Sequence, residues 1–268
     1  MSKIEAIVPL ASSRVSKNWQ QTCRMLESTM RTLLALPPDF LSISVVGHER
    51  PPGLPESNRC RWTSVDWAPP DPQDTAAKVQ DKGLKVQFGV RDAYRREGSW
   101  VMVVDADDLV SSRLPEFCDF TNHDAICFVN GYKWEVGSRW LEHVPDFHRV
   151  CGTSWIMKLV PEFFPVWLGP GTARICDQSH SKVHEALVSI GAKIQQIRTP
   201  LSIYCVNSGA NTGHGARPEQ AGLKIVERTA RALRISARQI LRSRRLTPKL
   251  LQEFSLYDHK LCRNTSPD

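Results

Sequence analysis

The sequence predicts an α/β fold: a mainly parallel, Rossmann-like central sheet flanked by helices, followed by a C-terminal helical extension. Three observations predict it. Short β-type runs alternate with helical stripes over the first hundred residues. The run Trp100 to Val104 (WVMVV) is continuously apolar, as a strand covered on both faces requires. The chain has 268 residues, 41% hydrophobic and 24% charged, which suits one large α/β domain and excludes wholesale disorder.

The elements follow in order. Ile4 to Leu10 (IEAIVPL) reads as the first strand. Trp19, Cys23, Leu26, Met30, Leu33 and Leu34 then recur at three- and four-residue spacing, the signature of a helix buried on one face. Ser16 is its expected N-cap and Pro37-Pro38 its stop. Leu41 to Val46 is a second strand. Proline-rich residues 51–73 surround a short strand-like piece, Arg61 to Trp67. A long helix is expected from Thr75 to Arg96, although Gly83 and Gly89 weaken it. Beyond WVMVV, Ala125 to Trp134 and Arg139 to Leu141 suggest a hairpin around Gly137, and His148 to Leu159 one further strand. Ser181 to Ile190 reads as a helix, Ile194 to Val206 ends in a strand, and Asn207 to Arg217 is a glycine-rich loop. From Leu223 a helix with one apolar and one arginine-rich face is expected, and the last dozen residues look frayed.

Composition narrows the function. A net charge of +7 favours anionic partners, nucleotide phosphates, nucleic acid or an acidic membrane surface, without choosing among them. The eight cysteines are scattered and form no CxxC pair, so neither a zinc knuckle nor a disulfide framework is expected. No apolar run approaches the ~18 residues that span a bilayer. The start, MSKIEAIVPL, lacks the apolar core of a signal peptide, and the expected location is the cytoplasm.

In an α/β sheet, ligands bind outside the carboxyl ends of the strands. The places to search are therefore Pro9 to Ser13, Gly47 to Glu49, Asp66-Trp67 and Asp105 to Asp108. The last is the strongest signal. Asp105-Ala106-Asp107-Asp108 puts three carboxylates within four residues at a strand end, where they raise one another's pKa unless a cation compensates. Oxygen-rich clusters suit Mg²⁺ or Mn²⁺, which in turn bind phosphates. The competing reading is a solvated acidic turn.

This DADD after a hydrophobic strand resembles the DxD motif of GT-A-fold glycosyltransferases of the family-2 type. IVPL resembles that family's first strand. The segment with Lys82-Gly83 and Arg91-Asp92-Ala93 resembles its helix before the motif, and CGTSWIMK its acceptor-side strand. Asp177 resembles its late "ED" element, reduced here to one acid. The resemblance spans about residues 4–215. It implies a domain at 1–215, with a nucleotide-sugar half (1–110) and an acceptor half (111–215), and a basic helical extension at 216–268.

The resemblance also implies a metal-dependent, inverting glycosyltransferase. Its donor would be a nucleoside-diphosphate sugar, contacted by Pro9, Glu49, Lys82, Asp105 and Asp107. Mn²⁺ or Mg²⁺ would lie on Asp107 and Asp108, with His214 completing the site. Asp177 would be the general base. Gly152, Thr153 and His180 would face a glycan or lipid-linked acceptor. His180 and His184 share one helix face by i,i+4 spacing, and Lys85 is a second candidate for the diphosphate. The basic helix at 224–245 either packs on the domain or touches an anionic membrane surface at the inner face; nucleic acid is not an expected partner. Two enzymatic alternatives remain. A haloacid-dehalogenase-type phosphotransferase would use Asp105 as nucleophile. A sugar-phosphate nucleotidyltransferase would share the fold, although LASSRVS stands where that class has a glycine-rich loop.

Overall fold

The computed structural model describes residues 4–96, 98–164, 180–206 and 242–256, with 180 and 181 described by backbone alone. The elements are β1 (Ile4–Pro9), α1 (Trp19–Leu34), β2 (Leu41–Gly47), β3 (Cys60–Ser64), α2 (Thr75–Arg95), β4 (Trp100–Val103) and β5 (Leu109–Val110). After them come β6 (Ala125–Phe128), β7 (Asn130–Glu135), β8 (Trp140–Pro145), β9 (Trp155–Lys158), α3 (His180–Ser189), β10 (Ile194–Ile197), β11 (Ser202–Val206), β12 (Ser243–Arg245) and α4 (Pro248–Glu253). Seven strands form one sheet in the order β10-β6-β9-β4-β1-β2-β3, and five form a second in the order β12-β8-β7-β11-β5.

The expected α/β class is what the structure shows. β1 pairs in parallel with β2 and β4, and β2 in parallel with β3. In the seven-stranded sheet, among the described residues, β9 alone runs antiparallel, between β4 and β6. From β1 the chain builds outward through β2 and β3, then returns to lay β4 on the other side. The order therefore reverses between β1 and β4, and the carboxyl ends of those two strands border the crevice where such sheets bind ligands.

Every residue of β1 and β2 is buried, so their apolar composition follows from cover on both faces. Ala6, Val8 and Leu10 pack with Leu26, Met30 and Leu33 of α1, whereas Ile7 packs with Val86 and Val90 of α2 on the opposite face. Gly89 explains itself here: a Cβ at that position would come within 2.6 Å of Ile7 and 3.3 Å of Val46. The glycine that weakens the helix in sequence is what lets α2 lie close on the sheet.

Several elements differ from expectation. Asn18, not Ser16, caps α1: its side chain accepts from the Gln21 N–H, while the Ser16 hydroxyl pairs with that of Thr22. The predicted strand 148–159 splits. A 3-10 turn (Phe147–Arg149) and the irregular residues 151–154 precede a strand of only four residues, because the side chains of Cys151 and Thr153 bond across the fold to Asp108 and the Ser154 hydroxyl turns back to Cys151 O. The hairpin around Gly137 exists as β7–β8, with Gly137 at φ 93°, but Ala125–Phe128 belongs to the other sheet. The stretch 194–206 also divides between the two sheets. The expected helix from Leu223 and the frayed tail fall almost entirely outside the described residues. The described part of the extension pairs β12 with β8 and buries Leu250, Phe254 and Leu256 against Tyr132, Trp134 and Leu141. That part of 216–268 is thus built into the second sheet. Among the described residues no helix is long and apolar enough to cross a membrane.

Candidate active site at the crossing between the sheets

Residues 105–108 carry the chain from one sheet to the other. Val104 still donates its N–H to Ile7 O at the end of β4, and Leu109 already pairs with Ile203 of β11. The acidic motif is therefore a bridge at the β1/β4 reversal, closed into a turn by the Asp108 N–H donating to Asp105 O at 3.0 Å.

The three carboxylates have different surroundings. Asp108 is fully buried. Its Oδ2 accepts from Thr153 Oγ1 at 2.6 Å and from Cys151 Sγ at 3.1 Å, and its Oδ1 accepts from the Cys205 N–H at 3.3 Å. Burial, followed by repulsion from Asp105 and Asp107, pushes its carboxyl well above the usual range. Asp107 is largely buried. Asp105 is the more open of the pair and forms an ion pair with Lys82, Nζ to Oδ1 2.6 Å. Burial works to depress the Lys82 ammonium, but Asp105, with Asp108 and Asp107 beyond it, outweighs that and holds it above the ordinary lysine range.

Thr153 ties the motif together: its hydroxyl donates to Asp108 and accepts from the Asp105 N–H at 3.0 Å. The sequence assigns Thr153 to the acceptor, but a fully buried hydroxyl engaged on both sides supports the crossing instead. The same correction applies to Asp108. Both its oxygens face donors of the protein, so it positions the turn. Lys85 is corrected too. It is 1% exposed and donates to Leu10 O at 2.9 Å and to Asp81 Oδ2 at 2.6 Å, with burial lowering its pKa against the pull of Asp81. It braces the loop after β1.

Pro9 ends β1 beside the crevice, and Gly152 lies in the strap between the 3-10 turn and β9. Glu49 follows β2 and accepts the Ser13 N–H through Oε1, pinning the loop after β1. His48, beside it, bonds Asp81 Oδ1 through Nε2 at 3.0 Å, and the Trp67 indole N–H donates to the same oxygen at 2.9 Å. His180 opens α3, and its side chain is outside what is described; Asp177 and His214 lie outside the described residues.

Sequence reasoning missed the partners that come from afar. Tyr204 stands at this site from β11. Burial, then Asp108 and Asp107, push its phenol up. Ser12, inside the searched stretch Pro9 to Ser13, is 2% exposed and has a hydroxyl with no hydrogen-bond partner among the described residues. His148, Trp155 and His184 also pack ring to ring at 5.9 to 6.2 Å. The 180–184 spacing flagged His184, but nothing in the sequence linked it to the other two.

No group of three or more His, Cys, Asp and Glu side chains converges to hold a metal among the described residues. Two carboxylates are nevertheless the donor set that suits Mg²⁺ or Mn²⁺ beside a phosphate. Such ions keep waters and complete their shell with substrate oxygens rather than an all-protein cage. Asp105 and Asp107 fit that role.

Neither a protein-family model nor a curated protein matches the sequence. Among solved structures, the chain is similar to a 4-diphosphocytidyl-2C-methyl-D-erythritol synthase from Anaerococcus prevotii, at 11% identity over 73% of this chain and 86% of that one, TM-score 0.43. It is also similar to a 2-C-methyl-D-erythritol 4-phosphate cytidylyltransferase from Francisella tularensis, at 14% identity over 74% and 92%, TM-score 0.44. A third is a Desulfovibrio desulfuricans protein described as a nucleotide-diphospho-sugar transferase, at 12% identity over 89% and 99%, TM-score 0.42.

Proposed function

We propose that the protein is a transferase acting on a nucleoside-diphosphate sugar, which it binds in the crevice between the carboxyl ends of β1 and β4. The observation that carries this reading is the crossing itself. Asp105 and Asp107 stand at the strand-order reversal on a turn fixed by Thr153, with Asp108 buried behind them and Lys82 alongside. A bound Mg²⁺ or Mn²⁺ would supply charge neutralisation as the diphosphate leaves. The chain's own part is to hold Asp105 and Asp107 toward the phosphates and to present Lys82 to the same group. The sugar would pass with inversion to a hydroxyl of a glycan or lipid-linked acceptor, with Asp177 as the base.

The test is a thermal-shift screen of UDP-, GDP-, CMP- and dTDP-linked sugars with and without Mn²⁺. One donor should raise Tm by about 5 °C at saturating concentration, only with the metal. Asp107→Asn should lose that shift and keep its fold. Unchanged donor binding by the variant in excess chelator overturns the reading.

The second reading is a sugar-phosphate nucleotidyltransferase. It is favoured by the loop after β1, where Ser13, Arg14 and Lys17 are exposed beside the crevice and suit a nucleoside triphosphate. Products separate the two: pyrophosphate released from a nucleoside triphosphate and a sugar 1-phosphate, against nucleoside diphosphate released from the sugar donor.

A further inference from the structure

We propose that the open face of the second sheet binds the acceptor, and that this acceptor is an anionic glycan. The inference rests on the reading of the protein as a sugar transferase and names the class of its second substrate. The five-stranded sheet has one filled face and one open one. On the filled side Tyr132 and Trp134 of β7, Leu141 of β8, and Ile203 and Cys205 of β11 pack with Leu250 and Phe254. Strand alternation sends the residues between them to the other side. That side carries Tyr204, Lys133, Glu142 and Ser243 in one row across β11, β7, β8 and β12. Trp140 and Arg245, paired directly across β8 and β12, stand in the next row.

The row starts at the candidate active site. Asp108 and Asp107 act on the Tyr204 phenol, so β11 borders the acidic crossing. β8 lies two strand spacings, about 10 Å, farther out. The open face therefore leads from the crevice to Trp140. That indole is 55% exposed, whereas Trp134 on the filled face is fully buried. Exposed arginines surround it: Arg139 before it in the chain, Arg245 across from it, and Arg242 and Arg244 at the same edge strand. Arg244 is partly engaged, donating from Nη1 to the Tyr132 hydroxyl at 2.7 Å, and Lys133 is answered by Glu142 at 3.7 Å. An exposed indole plane stacks on the apolar face of a sugar ring, and guanidinium forks take carboxylates or phosphates. A lipid surface fits less well. Among the described residues Trp140 is the one large exposed hydrophobic side chain of this sheet, which is too little apolar area to enter a bilayer.

The experiment is an isothermal titration of the full chain with hexagalacturonate, with an oligomannose phosphate and with neutral maltohexaose, at low and high salt. One anionic glycan should bind at least about tenfold more tightly than maltohexaose and weaken as salt rises. Trp140→Ala should weaken it about five- to tenfold and Arg245→Gln about threefold, while Trp140→Phe keeps most of the affinity. Vesicles of phosphatidylglycerol and a single-stranded oligonucleotide are titrated alongside. If neither anionic glycan exceeds maltohexaose, or if Trp140→Ala and Arg245→Gln bind like the parent, the proposal is overturned. It is overturned equally if the vesicles or the oligonucleotide bind more tightly than both glycans and lose that binding in Trp140→Ala. The donor screen on the parent is read separately. A chain that shifts with a nucleotide sugar but ignores both anionic glycans keeps the transferase reading and loses this one. A chain that binds a glycan through Trp140 but no donor keeps the glycan surface and loses the transferase.

Discussion

The two ends of the central parallel strands carry buried acids that the fold treats in opposite ways. At the amino end of β1, Glu5 is 4% exposed. Its carboxylate accepts from Ser42 Oγ at 2.5 Å, Ser44 Oγ at 2.6 Å and the Arg96 guanidinium at 3.2 and 3.3 Å. Burial alone would raise its pKa, but Arg96 with Ser42 and Ser44 outweighs burial and holds the carboxyl below its ordinary value. At the carboxyl end, Asp108 is as deeply buried and is pushed the other way: burial raises its pKa, and repulsion from Asp105 and Asp107 adds to the rise. Burial is common to both, so supplied charge decides the sign. The compensated end is a structural clamp. The other end gathers three carboxylates within four residues, which is the property the proposed function uses.

The largest expected effect on stability is at the compensated end. Glu5→Gln takes the buried carboxylate away from the Ser42, Ser44 and Arg96 donors, while Arg96 keeps its pair with Asp92, and should cost about 2 kcal/mol in urea unfolding. Donor binding per folded molecule should not change. A variant as stable as the parent would break the contrast, since Glu5 would then be no clamp. Asp108→Asn should cost less, about 1 kcal/mol: the amide sets an N–H against the Thr153 and Cys151 donors, but the substitution also removes a charge that Asp105 and Asp107 repel. Its larger consequence should be on the crossing, measured as weaker donor binding in the same thermal-shift screen.

How far these regions were readable differs in the same way. The strands β1, β2 and β4 and both long helices are local: periodicity and apolar runs place them to within a residue or two. The acidic motif was legible for the same reason, being four consecutive residues after a strand. What sets the roles of its members is not local. Asp108 is distinguished from Asp107 by Thr153, Cys151 and the Cys205 N–H, 43 to 97 residues away. Lys82 and Lys85 look alike in sequence, and only the packing of α2 on the sheet sends one to Asp105 and the other to Leu10 O. The split of 148–159 was hidden likewise, because the strap's hydrogen bonds close onto a distant turn.

The smallest effect, and the finest test of the contrast, is the pH dependence of stability in chelator. Glu5 has a lowered folded pKa. Its contribution is complete above its ordinary value of 4.5 and is lost as the pH falls through the folded value. Asp108 has a raised folded pKa. Between its ordinary value of 3.8 and that higher value the native state holds the extra proton, so stability declines as the pH rises through the window. Glu5→Gln should therefore flatten the acid side of the stability profile and leave the other arm, whereas Asp108→Asn should flatten the decline above 3.8 and leave the acid side. If both variants flatten the same arm, the two ends titrate as one system and the division into a clamp and a charged crossing is wrong.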